Sequence, residues 1–267
     1  MKFAAIADVH GNCIALEAVL ADIAAHGITE AVNLGDHVSG PLEARRTADL
    51  LIERGFPCIR GDQDRVLVEL GLAGPNASDR MDYKQLDRNH LDWLARLQPT
   101  MIYRDDVFLC HGSPRSDTAY WLDRVTDDGN IQASLIEDIE AEATGIAASL
   151  ILCGHTHIPR VVRLRDGRLV VNPGSVGLPG YEGRKPVFHK VQAGTPDACY
   201  VILERTSPGW STTFRYVPYD HIRRSPSFGG TDTGASSCLT SEIRAVTSFK
   251  LTAPEKYSWP LNTNPQE

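Results

Sequence analysis

The sequence has no run approaching the roughly 20 apolar residues that a membrane-spanning helix needs, so no membrane partner is expected. Its opening, Met1 to Ala7, is too short an apolar stretch before Asp8 to read as a secretory leader. It has no C-x-x-C pair. The six cysteines (Cys13, Cys58, Cys110, Cys153, Cys199 and Cys238) are scattered, mostly in apolar stretches, and read as small core residues in a reducing cytoplasm. It has no excess of basic charge. With 27 Lys and Arg against 34 Asp and Glu, the formal charge is −7, which argues against stable binding of nucleic acid through its backbone. No internal repeat is found.

What is there is ordinary for a soluble globular chain: 267 residues, 42% hydrophobic and 23% charged, enough for one large domain or two small ones. Lys2 to Ala7 reads as a buried strand. Leu16, Val19, Leu20 and Ile23 fall at helical spacing, with Gly27 where a cap is expected. Ala31 to Leu34 reads as a second strand. A second helix follows, with Pro41 in its first turn, Ala44, Ala48, Leu51 and Ile52 on one face, and Gly55 at its end. Phe56 to Arg60 reads as a third strand. This βαβαβ opening predicts a parallel sheet with helices packed on it.

Further on, helices are expected over 86–97 and 131–143. Strands are expected over 100–103, 107–110, 150–153, 160–164, 168–171, 200–204 and 212–217, with Asp166-Gly167 as a hairpin turn. The second half therefore reads as an antiparallel sheet. The predicted fold class is α/β: two packed mixed β-sheets flanked by helices, a four-layer α/β/β/α sandwich. Residues 1–221 would form this domain. Residues 222–267 would be an extension, linker-like over 225–237 with a short element over 240–250, and peripheral.

Four polar clusters end the apolar runs: Asp8-Val9-His10, Gly35-Asp36, His111-Gly112 and Gly154-His155-Thr156-His157. Asp and His without Cys suit borderline divalent ions. In such sheets ligands gather at the carboxyl ends of strands, where these clusters fall. A lone His after a strand is usually a loop or core residue, and a lone Gly-Asp is usually a turn. Four clusters together argue for a shared metal centre. In Asp8-x-His10 and His155-x-His157 the spacing turns two ligands toward one point as a strand passes into a loop. A carboxylate such as Asp36 has two oxygens and can touch two ions.

Together with Gly61-Asp62-Gln63-Asp64, these motifs follow the order of the calcineurin-like metallophosphoesterase superfamily, which the chain resembles over roughly residues 1–220. Asn172-Pro173-Gly174-Ser175-Val176-Gly177 is similar to the small bacterial and archaeal phosphodiesterase branch, and is read as a turn behind the metals. The resemblance implies that Asp8, His10 and His157 hold one metal, that Asp62, His111 and His155 hold the other, and that Asp36 bridges them. Asp36, Asp62 and His111 would be the residues closest to catalysis. The implied cofactors are two divalent ions drawn from Mn, Fe, Zn or Ni, with Mn favoured. The implied reaction is phosphodiester hydrolysis by a metal-bridging hydroxide.

Candidate substrate contacts are Arg115, His37 and Asn12, the last also read as a helix N-cap. The partner would be a small phosphorylated substrate, and a nucleotide is compatible with the acidic chain because metals can supply positive charge. Relatives usually carry Gly-Asn-His at the third motif. Here Asp62 adds an anion, and Gln63 stands where relatives place a histidine thought to protonate the leaving group. An amide is no acid. Two divalent ions against three aspartates and a hydroxide give a near-neutral core, which favours diesters over dianionic monoesters. Rival readings are hydrolysis of a nucleotide or dinucleoside polyphosphate at its pyrophosphate link, and a metal-free protein-binding scaffold. The scaffold is disfavoured because none of the seven ligands is missing.

Overall fold

The computed structural model describes residues 1–220 apart from 41, 75 and 76. The chain runs β1 (Lys2–Ile6), α1 (Cys13–Ala25), β2 (Ala31–Asn33), α2 (Ala44–Arg54), α3 (Asp62–Leu70), α4 (Ala77–Gln85) and α5 (Arg88–Arg96). It continues through β3 (Thr100–Tyr103), β4 (Val107–Cys110), β5 (Asp123–Val125), β6 (Ile131–Ala133), α6 (Ile136–Glu142) and β7 (Leu150–Leu152). It ends in β8 (Arg160–Arg163), β9 (Leu169–Asn172), β10 (Gly180–Gly183), β11 (His189–Gln192), β12 (Ala198–Arg205) and β13 (Trp210–Val217).

Two sheets carry the fold, a four-stranded one ordered β13-β12-β1-β2 and a five-stranded one ordered β3-β4-β7-β9-β8. Their facing surfaces follow from strand periodicity, since alternate residues point to opposite sides. Phe3 and Ala5 of β1 meet Leu109 of β4, Leu150 and Leu152 of β7, Val171 of β9 and Leu203 of β12 in the core between the sheets. Ala4 and Ile6 point the other way, onto Leu16, Val19, Leu20 and Ile23 of α1. Cys110, Ile151 and Val170 cover the outer face of the second sheet with Ile139 of α6. The layers are therefore helix, sheet, sheet, helix, as the apolar runs predict. Both β1 and β7 are buried on two sides, which is why they read as continuous apolar runs.

Several expectations are corrected. Residues 56–60 form no strand, only single bridges from Asn33 to Cys58 and from Ile59 to Gln98. Pro57 has no amide hydrogen to give the ladder, although its carbonyl accepts from Asn33. The expected helix over 131–143 begins only at Ile136, because Ile131–Ala133 pairs with Asp123–Val125. The second half is mixed and not wholly antiparallel: β4, β7 and β9 run parallel, while β3–β4, β8–β9 and β12–β13 are antiparallel pairs, and β12 pairs antiparallel with β1 of the first half. Ile52 is exposed instead of lying on the buried face of α2. Helices α3 and α4 and the hairpin β10–β11 were not foreseen. The helix-turn role of Pro41 and every expectation for 222–267 lie outside the described residues.

Candidate metal centre

The chain leaves β1, β2, β4 and β7 at one edge of the two sheets, and a cluster sits after each. The backbone there is unusual. Among the described residues, Asp8, His10, Asp36, His155 and His157 all have positive φ, between 49° and 68°, in the left-handed region that few non-glycine residues enter, Asp and His more readily than most. Such strain is held only where surrounding structure imposes it, and it gathers at functional sites. Here the loops are held by bonds from neighbouring segments. Gly177 N and the Ser175 hydroxyl both donate to the Asp8 carbonyl, and the Asn172 amide donates to the Gly154 carbonyl. The turn over 172–177 thus lies behind the ligand loops, as its Pro and glycines suggest.

Six of the seven ligand-type side chains form two triads, and the seventh, Asp36, groups with Asp8 of one and His111 of the other. Asp8, His10 and His157 form one triad, and Asp62, His111 and His155 form the other. In the first, His10 Nε2 lies 3.1 Å from His157 Nε2, and His157 Nε2 lies 3.5 Å from Asp8 Oδ1. In the second, Asp62 Oδ1 lies 3.2 Å from His111 Nε2 and 3.1 Å from His155 Nδ1. Asp36 Oδ2 stands between, 3.8 Å from His10 Nε2 and 3.5 Å from His111 Nε2. Gly61 makes room for it, since a Cβ there would fall 2.1 Å from Asp36 Oδ1.

The imidazoles are preset to coordinate. A carbonyl oxygen can only accept, so a ring nitrogen facing one must carry the hydrogen. His10 Nδ1 donates to Ser39 O at 2.6 Å, His111 Nδ1 to Leu34 O at 2.7 Å and His157 Nδ1 to Leu178 O at 2.5 Å. Each therefore aims the Nε2 lone pair into the cluster. His155 is reversed: its Nε2 donates to Thr118 O at 3.1 Å, and Nδ1 faces Asp62. Bonds of this kind orient metal-binding histidines and raise their basicity.

The carboxylates tell the same story. Asp8 is fully buried; its Oδ2 accepts the His155 amide, while Oδ1 has no hydrogen-bond partner. Burial pushes the Asp36 carboxyl up, and the neighbouring Asp62 adds to it. Burial acts on Asp62 and Asp8 in the same sense. It is overcome by His111 and His155 around Asp62, and by His157, His111 and His10 around Asp8, so both sit below the usual carboxylate range. Three buried aspartates facing inward, with one oxygen orphaned, fit cations in their midst.

Asp62 is the first residue of α3, where the helix dipole favours an anion. The side-chain amide of Gln63 donates to Asp62 Oδ2 at 3.3 Å, and its backbone N–H donates to Asp36 Oδ1 at 3.0 Å.

The three candidate substrate contacts are placed differently. Asn12 caps α1, accepting from Ala15 N at 3.1 Å and donating to Gly177 O and Tyr219 Oη. His37 is fully buried against Asp64 and Trp93. Arg115 points to α6, 3.3 Å from Glu142 and 3.4 Å from the Ala141 carbonyl. The sequence reading gave Asp64 no role, and it passed over Tyr181 and His189, which reach the centre through the unforeseen hairpin.

A family model, the calcineurin-like phosphoesterase superfamily domain, matches residues 1–194. The chain belongs to that superfamily. Membership supports a metal-dependent phosphoric ester hydrolase and makes the clusters described above its candidate metal ligands. The uncharacterised protein MJ0912 of Methanocaldococcus jannaschii is 26% identical over 206 residues, which is 66% of this chain and 76% of that protein. A metallophosphoesterase from Sphaerobacter thermophilus has the same fold, with a TM-score of 0.67 at 24% identity over 92% of this chain and 100% of that one. The hypothetical protein PH1004 from Pyrococcus horikoshii OT3 is also similar, with a TM-score of 0.61 at 17% identity over 91% of this chain and 94% of that one. Among the described residues no helix is long and apolar enough to cross a membrane.

Proposed function

We propose that this phosphoesterase is a dinuclear-metal phosphodiesterase acting on a small phosphorylated substrate in the cytoplasm, with residues 1–221 as the catalytic domain. One observation carries the reading: Asp36 Oδ2 lies within 3.8 Å of an imidazole nitrogen from each of two adjoining triads. Asp8, His10 and His157 would hold one ion, Asp62, His111 and His155 the other, with Asp36 shared. Nitrogen and oxygen donors of this kind suit Mn, Fe, Zn or Ni, and Mn is our first choice. When bound, the ions supply Lewis acidity, lowering the pKa of water and neutralising charge that develops on a phosphoryl group.

The chain's own residues support a diester substrate. Asp8, Asp36 and Asp62 give the centre three carboxylates, one more than a neutral amide at position 62 would allow. A dianionic monoester loses more from this added negative charge than a monoanionic diester does. Gln63 can position an oxygen through its amide but cannot release a proton to it.

The test is metal analysis joined to a substrate panel. Metal-stripped protein reloaded with Mn should hold two ions and hydrolyse diesters ahead of monoesters and dinucleoside polyphosphates. A saturated protein holding a single ion, or no hydrolysis of any phosphate ester with any of the four metals, would overturn the reading.

A further inference from the structure

Two tyrosines stand on the ligand histidines, one on each triad. The Tyr181 ring packs edge-on to His157 with centroids 4.7 Å apart, and the Tyr120 ring packs the same way on His155 at 5.3 Å. Their hydroxyls hydrogen-bond to each other, and Tyr120 Oη also lies 3.0 Å from His189 Nε2. Both tyrosines are half-buried, whereas His189 is buried. The Tyr181 hydroxyl lies within electrostatic reach of Asp8 and Asp62, one carboxylate from each triad.

The hydrogens in this chain can be placed. His189 Nδ1 faces the Val187 carbonyl at 2.8 Å, so Nδ1 carries the hydrogen and, in the neutral ring, Nε2 is a lone pair. Tyr120 must then donate to His189, and its oxygen can only accept from Tyr181. The Tyr120 hydrogen is held by the imidazole, and the Tyr181 hydrogen is held only by the Tyr120 oxygen. The Tyr181 O–H can turn from Tyr120 to a substrate oxygen at the cost of one neutral hydrogen bond. The hairpin is built for this. Gly183 lies opposite His189 in the β10–β11 pair, and a Cβ on Gly183 would fall 2.2 Å from His189 Nε2. The absent side chain lets the imidazole lie across the hairpin and reach Tyr120.

We propose that Tyr181 touches the substrate, donating its hydroxyl hydrogen bond to the departing oxygen of the phosphate ester, and that Tyr120 and His189 are positioning residues that hold it ready. This deepens the phosphoesterase reading and rests on it. It supplies a donor to the leaving group in a site where Gln63 replaces an acid. A hydrogen bond that strengthens as charge builds on the leaving oxygen matters most when that oxygen is basic.

The experiment uses the full chain loaded with Mn and aryl phosphates of whichever class, diester or monoester, the wild type hydrolyses. The aryl groups run from p-nitrophenyl through chlorophenyl to phenyl. Tyr181→Phe should lower kcat more as the leaving group becomes more basic, reaching roughly ten-fold or more for phenyl, with metal content unchanged. His189→Leu should show the same trend more weakly, and His189→Gln, which restores an acceptor, should recover part of the loss. A loss that is uniform across the leaving groups, or absent, or accompanied by lost metal, would refute the assignment, the last case reducing the tyrosines to packing for His155 and His157. These outcomes leave the phosphoesterase reading standing. If the loaded wild type hydrolyses neither class, that reading fails and this inference falls with it.

Discussion

Asp64 and His37 form an ion pair at 2.7 Å where neither side chain meets solvent. The same carboxylate ties two ligand loops together. Its Oδ2 accepts Gly61 N and Asp36 N, each at 2.9 Å, and its Oδ1 accepts His37 N at 3.0 Å. Burial alone would drive both groups neutral. Their attraction outweighs it, holding the His37 imidazole up at about 10 and the Asp64 carboxyl down at about 2. The backbone of Asp36 thus rests on a buried charge pair.

Replacing Asp64 with Asn removes one partner and leaves the other charge stranded, which costs about 3–5 kcal/mol. Urea unfolding of the variant should show a loss of that size. Metal affinity should also fall by roughly 10- to 100-fold, because Asp64 holds the loops that set Asp36 beside the candidate ligand histidines. A variant as stable as the wild type would mean that the pair contributes no net stability.

Removing Asp36, proposed above as a shared ligand, should separate one-ion from two-ion behaviour. Asp36→Ala, saturated with Mn, is expected to retain no more than one ion and to lose esterase activity. His10→Ala, which strips one triad alone, should leave the second triad able to bind. Equilibrium dialysis with metal analysis reads both. Full activity in Asp36→Ala would exclude a bridging role.

The charge at position 62 should set the ester preference. The wild type is expected to hydrolyse bis(p-nitrophenyl) phosphate with a higher kcat/KM than p-nitrophenyl phosphate. Asp62→Asn should shift the ratio toward the monoester at matched metal loading. A wild-type preference for the monoester would remove the charge argument without touching the ligand assignment.

Asp22 provides a pH test away from the metals. It accepts Arg215 Nε at 3.0 Å, Arg215 Nη2 at 2.9 Å and the Tyr200 hydroxyl at 2.7 Å, joining α1 to β12 and β13. The Arg215 bonds first, then Tyr200, hold its carboxyl below its ordinary value of 3.8 against the opposing effect of burial. A carboxyl depressed by folding contributes stability that is fully present above that ordinary value and is lost as pH falls through the folded value. Asp22→Asn should therefore cost about 1–2 kcal/mol at neutral pH, after allowance for solvent around the partly exposed guanidinium. The Tm gap between variant and wild type should close progressively as the pH is lowered below 3.8. A gap that is constant with pH would assign the cost to packing.

Arg115, a candidate phosphate contact by sequence, is taken up by Glu142 and the end of α6. Arg115→Ala should leave kcat/KM within about two-fold, the ordinary effect of a surface substitution. A larger fall confined to KM would show that the side chain swings to the substrate.

Part of the candidate centre was legible in the sequence because Asp8 and His10 come as a local pair that one strand end brings together. His155 and His157 share a strand end too, but the structure sends them to different triads, which their spacing did not suggest. The apolar runs ahead of them mark strands buried on both faces, so the layered fold and the edge where the motifs gather follow from patterning alone. The sequence could also show that Gln63 is no acid and that Asp62 carries a charge, since both are properties of the side chains themselves.

Tertiary structure decided what depends on distant segments. The pairing of β12 with β1 brings together residues about 200 apart, as in Lys2 with Glu204, and no local pattern encodes that choice. Ile131–Ala133 is a strand because Asp123–Val125 offers it a partner, whereas its spacing fits a helix equally well. The histidine tautomers are set by carbonyls of Ser39, Leu34, Thr118 and Leu178, which carry no mark in the sequence because every residue has a carbonyl. For the same reason Asp64, Tyr181 and His189 look like any other residues of their type until the chain folds. A side chain's chemistry is written in the sequence, but its partner is fixed only when non-local packing brings two segments within hydrogen-bond reach.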